Sequence, residues 1–266
     1  MNRIQVTLDK LAAENRKALV SYIVAGDPDL ASTVPLMHQL VKSGTDIIEI
    51  GVPFSDPSAE GPTIQRAHER ALANRVGLGQ LLESIKEFRE QDSTTPVLLM
   101  GYANPIEWMG YDQFCQSAKR AGVDGALTVD IPPEEATSLN DVLEANGLFN
   151  VFLLAPTTSD DRISSIANMA SGFLYYVSLK GVTGAASLDI ASVEEKLSHI
   201  RARTKLPVCV GFGIKDAETA KSVAAIADGV VIGSAIVDAV FKADSLEQAL
   251  IAIEELLTPI RAAIDE

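Results

Sequence analysis

Along the chain, short and nearly continuous apolar runs rich in β-branched residues alternate with longer segments of helical periodicity. The runs are "ALVSYIVAG" (18–26), "DIIEIG" (46–51), "VLLMG" (97–101), "GALTVD" (125–130), "VFLLAP" (151–156), "LYYVSL" (174–179), "VCVGFG" (208–213) and "GVVIG" (229–233). A run without polar alternation is the mark of a parallel strand covered on both faces. The intervening segments include "LASTVPLMHQLVKSG", "GLGQLLESIKEFREQ", "YDQFCQSAKRAG", "PEEATSLNDVLEANG", "SDDRISSIANMASG", "VEEKLSHIRART" and "DAETAKSVAAIA", several ending in a glycine suited to a left-handed cap. Most strand starts are one βα unit apart. The gap between the second and third is nearly twice as long and also contains "GPTIQRAHERALANR", which predicts an extra helix after the second strand.

Eight βα units without a Pro/Ser-rich linker or charge run between them predict one α/β domain over 1–266, a closed (β/α)8 TIM barrel. The N-terminal "MNRIQVTLDKLAAENRK" has apolar spacing near 3.6 with both charge signs, and predicts an additional helix ahead of the first strand. The competing architecture is a doubly wound open sheet. Length agrees with the barrel: the chain has 266 residues, of which 47% are apolar, and a barrel of this kind takes about 250.

Charge narrows the function. A formal charge of -14 argues against a nucleic-acid or anionic-membrane binder, but not against a small anion held by local dipoles. The two cysteines, Cys115 and Cys209, have no disulfide or zinc spacing and read as buried thiols in a reducing cytosol. No apolar run approaches the roughly 18 residues a membrane span needs. A cytoplasmic protein without a metal site is expected.

The chemistry is concentrated at strand ends. In "EIGVPFSDPSAEGPTIQ" (49–65) the second strand carries Glu49 among isoleucines and opens into a loop bearing Asp56 and Glu60. Desolvation would raise the Glu49 carboxyl toward the range of proton transfer; it reads equally as a satisfied carboxylate capping a loop. Asp56 and Glu60 could simply bind backbone amides, although three acids at one barrel mouth are costly unless one is protonated or paired. Pro62 suits the first turn of the helix that follows. After the last three strands come "GVTG" (181–184), "GFGIKD" (211–216) and "GSAIVDAV" (233–240), where Ser234 opens a short helix. Loops after strands seven and eight form the recurrent phosphate site of such barrels, gripping the anion by amide dipoles. Tight turns alone would also explain the glycines. His38, His68 and His199 lie in helical segments without ligand spacing and are expected to face solvent or helix packing. Trp108 and Tyr111 either pack under a loop or face a partner.

Taken end to end, these residues resemble the alpha chain family of tryptophan synthase, through "AGDP" (25–28), "EIGVPFSDP" and "GPTIQ" (49–65), "MGYANPI" (100–106), "VDIPPEE" (129–135), "FLLAPTT" (152–158) and "YYVSLKGVTG" (175–184). The resemblance implies a lyase that cleaves indole-3-glycerol phosphate to indole and glyceraldehyde 3-phosphate without a cofactor of its own. Pyridoxal phosphate is expected only in a beta chain, to which indole passes within an alpha/beta complex. It further implies that Glu49 is the general acid/base, that Glu60 polarises the indole N–H, and that Tyr175 stands behind Glu49. Tyr22, Met100, Thr183, Gly184, Phe212, Gly213, Gly233 and Ser234 are implied to hold the substrate and its phosphate. Asp56, Asn104 and Pro132 match positions that meet the beta chain.

The sequence departs from the family pattern in three places. Glu60 stands where Asp is usual, Ser58 replaces a larger apolar residue, and Leu179 occupies a position that is Arg in some relatives. One extra methylene moves a carboxylate by about 1 Å, enough to cost on the order of a hundredfold in rate, so weakened cleavage is expected. The alternative function is a barrel that binds a phosphate ligand and activates a beta chain allosterically while cleaving poorly. A different phosphosugar barrel, such as an isomerase, would share only the phosphate site.

Overall fold

The computed structural model describes residues 1–178, 189–211 and 213–266. The strands are β1 (Ala18–Val24), β2 (Ile47–Gly51), β3 (Val97–Gly101), β4 (Gly125–Thr128), β5 (Phe149–Asn150), β6 (Phe152–Leu154), β7 (Leu174–Val177), β8 (Val208–Gly211) and β9 (Gly229–Ile232). All pair in parallel in one sheet, ordered β5-β4-β3-β2-β1-β9-β8-β7-β6. The two edges, β5 and β6, are separated only by Val151, whose N–H donates to Ala126 O at 2.9 Å. They are two halves of one stave, and the sheet closes into the expected eight-position barrel.

That stave begins at Phe149, two residues before the predicted start. Polar Asn150 breaks the apolar run and hides the strand. In the fold Asn150 is buried and satisfied: its N–H donates to Ser171 Oγ at 2.8 Å and its Nδ2 to Asn140 Oδ1 at 3.2 Å.

Alternation along each strand divides the side chains between two cores. Ala18, Val20, Ile47, Leu98, Leu127 and Val151 point into the barrel, where Ile4, Leu8 and Leu11 of α1 (Arg3–Ala13) join them. The predicted N-terminal helix is therefore the plug of the barrel's lower end. The opposite parity, Leu19, Ile23, Ile48, Ile50 and Leu99 among others, packs under the outer helices. Every residue of β1 and β2 is buried, the physical reason their sequences do not alternate.

The lower rim is held by three aspartates, each directly preceding a strand. Asp46 Oδ2 accepts from Leu19 N–H at 2.8 Å, Asp124 Oδ2 from Val97 N–H at 2.9 Å and Asp228 Oδ2 from Val208 N–H at 2.9 Å. Each also meets arginine: Arg261 at 2.8 Å from Asp46, Arg3 and Arg89 at 2.9 and 3.0 Å from Asp124, and Arg201 at 3.2 Å from Asp228.

The remaining helices are α2 (Leu30–Lys42), α3 (Pro62–Ala73), α4 (Leu78–Phe88), α5 (Ala103–Met109), α6 (Tyr111–Ala121), α7 (Thr137–Ala145), α8 (Asp160–Met169), α9 (Ile190–Arg201), α10 (Ala217–Ala224), α11 (Ser234–Lys242) and α12 (Leu246–Ile264). Helix α3 is the expected extra one, with Pro62 in its first turn. Two further helices add to the predicted set. In α5 Pro105 is tolerated because first-turn N–H groups have no intrahelical partner. In α12 Ala249, Ile253, Leu257, Ile260 and Ile264 form a buried stripe, and Ser245 caps the N-terminus by accepting from Gln248 N–H. Both cysteines are buried and free. Among the described residues, no helix is long and apolar enough to cross a membrane.

Candidate active site

Glu49 points into the barrel near its upper end, in register with Tyr22 on β1 and Leu98 on β3. It is 1% exposed, and neither carboxylate oxygen has a hydrogen-bond partner among the described residues. Burial, reinforced by the charge of Glu60, pushes its carboxyl up to about 8. A carboxylate capping a loop would accept from backbone amides, and among the described residues Glu49 accepts from none.

The loop after β2 is pinned at several points, and this places the second acid. Val52 N–H donates to Met100 O at 2.8 Å, Phe54 N–H to His68 Nδ1 at 3.1 Å and Ala59 N–H to Tyr102 Oη at 3.0 Å. Gln65 Nε2 donates to Glu60 O at 2.8 Å, and the Phe54 and Tyr102 rings stack 5.1 Å apart. Glu60 thereby reaches the cavity that contains Glu49. Burial lifts its carboxyl to about 7, against the pull of the Tyr102 hydroxyl, which donates to Oε1 at 3.5 Å.

The cavity has a volume of about 290 Å³ and lies at the C-terminal end of the strands. Tyr22 and Tyr175 stand in its wall, and each needs a glycine on the neighbouring strand: a Cβ at Gly51 would lie 2.2 Å from Tyr22 Oη, and one at Gly211 2.5 Å from Tyr175 Oη. Ile64, Met100, Val129, Leu153 and Val231 supply an apolar lining. Burial first, and then the charges of Glu49 and Glu60, hold both phenols well above their ordinary range, so they remain protonated hydrogen-bond donors.

Gly213, with φ of 74°, Gly233 and Ser234 also line the cavity. Ser234 opens α11, whose cap residue Gly233 provides no side-chain bond. Free amide groups and the positive helix end therefore face the cavity. Its described lining contains neither Lys nor Arg. Thr183, Gly184 and Phe212, and Leu179 with them, lie outside the described residues.

Asp56 and Asn104 are exposed and Pro132 is half-buried. They follow β2, β3 and β4, which are neighbours in the sheet, so the topology gathers them on one sector of the upper rim. Trp108 in α5 is 91% exposed on that sector, while Tyr111 packs against the outer core. The histidines divide. His199 is exposed beside Asp160 at 3.5 Å, and the His38 ring packs tilted against Phe88, centroids 4.7 Å apart. His68 is 2% exposed on the inner face of α3, with Nδ1 accepting from Phe54 N–H and Nε2 3.4 Å from Tyr22 Oη. Its signal was the small-residue face Ala67, His68, Ala71 of α3. Tyr102 was also missed, although a residue immediately past a strand end of a barrel is a mouth position by rule.

The family model described as Tryptophan synthase alpha chain matches residues 8–265. The chain is 56% identical to the tryptophan synthase alpha chain of Thiobacillus denitrificans, over 100% of this chain and 97% of that one. It is 53% identical to that of Methylococcus capsulatus, over the full length of both. Among solved structures, the tryptophan synthase subunit alpha from Legionella pneumophila str. Paris superposes with a TM-score of 0.93 at 48% identity, covering 100% of this chain and 99% of that one. An aminoacrylate-bound tryptophan synthase from M. tuberculosis gives 0.89 at 32% identity, covering 99% of this chain and 100% of that one. With such matches running the length of a barrel whose mouth holds the strand-end glutamate and its acidic loop, this chain belongs to the tryptophan synthase alpha chain family.

Proposed function

We propose that this chain is the lyase of that family, cleaving indole-3-glycerol phosphate to indole and glyceraldehyde 3-phosphate, with Glu49 as the group that moves the protons. The observation carrying the assignment is the buried, unpartnered Glu49 carboxyl, held up to about 8 in a cavity shared with Glu60. Near pH 7 Glu49 is the neutral acid of the pair. It donates its proton to the indole carbon that bears the glycerol chain, and Glu60, the more readily ionised group, accepts the indole N–H and stabilises the cation that forms. The Glu49 carboxylate then takes the proton from the hydroxyl on the adjacent side-chain carbon. The carbon–carbon bond breaks, its electrons return to the ring, and the aldehyde leaves with the phosphate. Glu49 finishes protonated, as it began.

The apolar lining suits a fused aromatic ring, and the amides of Gly213, Gly233 and Ser234 suit the phosphate. Tyr175, in register with Leu153 and Cys209, supports the cavity floor beside Glu49. Within the tryptophan synthase assembly, Asp56, Asn104 and Pro132 would meet a beta chain, and pyridoxal phosphate would belong to that partner. The test is indole release from indole-3-glycerol phosphate by the parent and by Glu49→Gln. Undiminished turnover in the variant would remove Glu49 from the mechanism. The Glu60 departure keeps a second role in view, activation of a beta chain by a poorly cleaving barrel. Beta-chain turnover with and without this chain separates the two.

A further inference from the structure

We propose that His68 is a positioning residue for this cleavage: its imidazole ties the backbone of the acidic loop at Phe54 to the hydroxyl of Tyr22, presenting Tyr22 as a donor beside the two carboxylates. The inference rests on the cleavage reading but concerns a residue outside it. His68 sits on α3 with Nδ1 3.1 Å from Phe54 N–H and Nε2 3.4 Å from Tyr22 Oη. Because Nδ1 accepts a backbone N–H, it carries no proton; the ring proton is on Nε2, which donates to the phenol oxygen. Burial, which lowers the imidazole to about 4, keeps the ring neutral.

A phenol that accepts from an imidazole has its own O–H to place elsewhere. Gly51 lets the hydroxyl lie close against β2, where a Cβ would crowd it, Gly233 backs the Tyr22 ring, and Tyr22 lines the cavity together with its register partner Glu49. The phenol proton is thus available to the cavity. The same imidazole fixes the beginning of the loop whose far end carries Glu60. One side chain therefore couples the position of a donor on β1 to that of an acid on the loop after β2.

The experiment is a double-mutant cycle on the full chain, with kcat and KM for indole release measured per folded molecule. Expected is a fall in kcat of about tenfold to a hundredfold for His68→Ala, with KM changed less than about threefold, since misplacement acts on the reacting geometry. In a Tyr22→Phe background the same substitution should cost clearly less, because the shared bond is already gone. His68→Gln, whose amide oxygen can accept from Phe54 and whose amide N–H can donate to Tyr22, should recover most of the rate. A kcat within twofold of the parent for His68→Ala, or an equal cost with and without the Tyr22 hydroxyl, would overturn the proposal. If the parent releases no indole, the cleavage reading fails separately, and imidazole ¹⁵N shifts still decide the arrangement. A protonated Nδ1, or Nε2 shifts unmoved by Tyr22→Phe, would refute it.

Discussion

Asp46 and Glu49 stand three residues apart in "DIIEI", one just before β2 and one within it, and they meet opposite fates. Asp46 at the lower rim accepts from Leu19 N–H at 2.8 Å and pairs with Arg261 at 2.8 Å. Burial still raises its carboxyl somewhat, with that amide and arginine pulling it back. Among the described residues Glu49 has neither amide nor arginine, and its carboxyl rises to about 8. The lower rim repeats the paired arrangement at Asp124 and Asp228, whereas the mouth puts a second acid, Glu60, beside the first, with the Tyr102 hydroxyl but no cation as its partner among the described residues. Carboxylates at one end close the barrel; at the other they are kept out of balance, a condition that favours proton transfer and disfavours stability.

The sharpest break of this contrast is Glu49→Gln, expected to lower kcat by about a thousandfold and yet to stabilise the fold at high pH. The folded Glu49 carboxyl titrates near 8 instead of 4.5. The folded chain therefore holds this proton after the unfolded chain has released it, and stability falls as pH climbs from about 4.5 to about 8. Gln removes that loss, so Tm should exceed the parent's by roughly 5 °C or more at pH 8 and match it near pH 4.5. Calorimetry at the two pH values checks this.

Asp124→Ala is the counterpart at the lower rim. It leaves Arg3 and Arg89 facing each other without their carboxylate, and denaturant unfolding should show a loss of about 3–5 kcal/mol. The kcat of folded enzyme should stay within about twofold.

Next in size is Glu60→Asp, expected to cleave faster than the parent by up to about a hundredfold, because the shorter acid draws the oxygen back by about 1 Å. Equal rates, or a faster parent, in steady-state assays would reject the geometric account. The pH profile of kcat/KM should then be bell-shaped. Below about 7 Glu60 takes up a proton and can no longer accept the indole N–H; above about 8 Glu49 loses the proton it must donate. Each limb should fall about tenfold per pH unit, and Glu60→Gln should abolish the acid limb alone.

The smallest effect separates members of the paired set. Arg201 and Asp228 are 44% and 38% exposed, against 11% and 4% for Arg89 and Asp124. Arg201→Ala should therefore cost less than about 1 kcal/mol by the same denaturant measurement.

Much of this was legible in advance. Strands buried on both faces leave continuous apolar runs, so β1, β2 and β3 could be read almost to the residue, as could Pro62 at the start of α3 and Glu49 within a strand. The misses have physical causes. Asn150 concealed the start of a strand because its polarity is satisfied by Asn140, a partner only the fold supplies. The stripe of α12 was visible, but the strand–helix alternation closes a barrel without requiring a helix beyond α11.

By itself the sequence determined the barrel, its direction and therefore the end at which chemistry had to occur, since these follow from local period and the spacing of βα units. Which acids are paired, and which histidine contacts Tyr22 and the acidic loop, were decided by tertiary structure alone. Arg261 reaches Asp46 across 215 residues, and His68 reaches Tyr22 across 46. A carboxyl's protonation state depends on desolvation and on the charges within a few ångströms, and those neighbours are brought together only when the sheet closes.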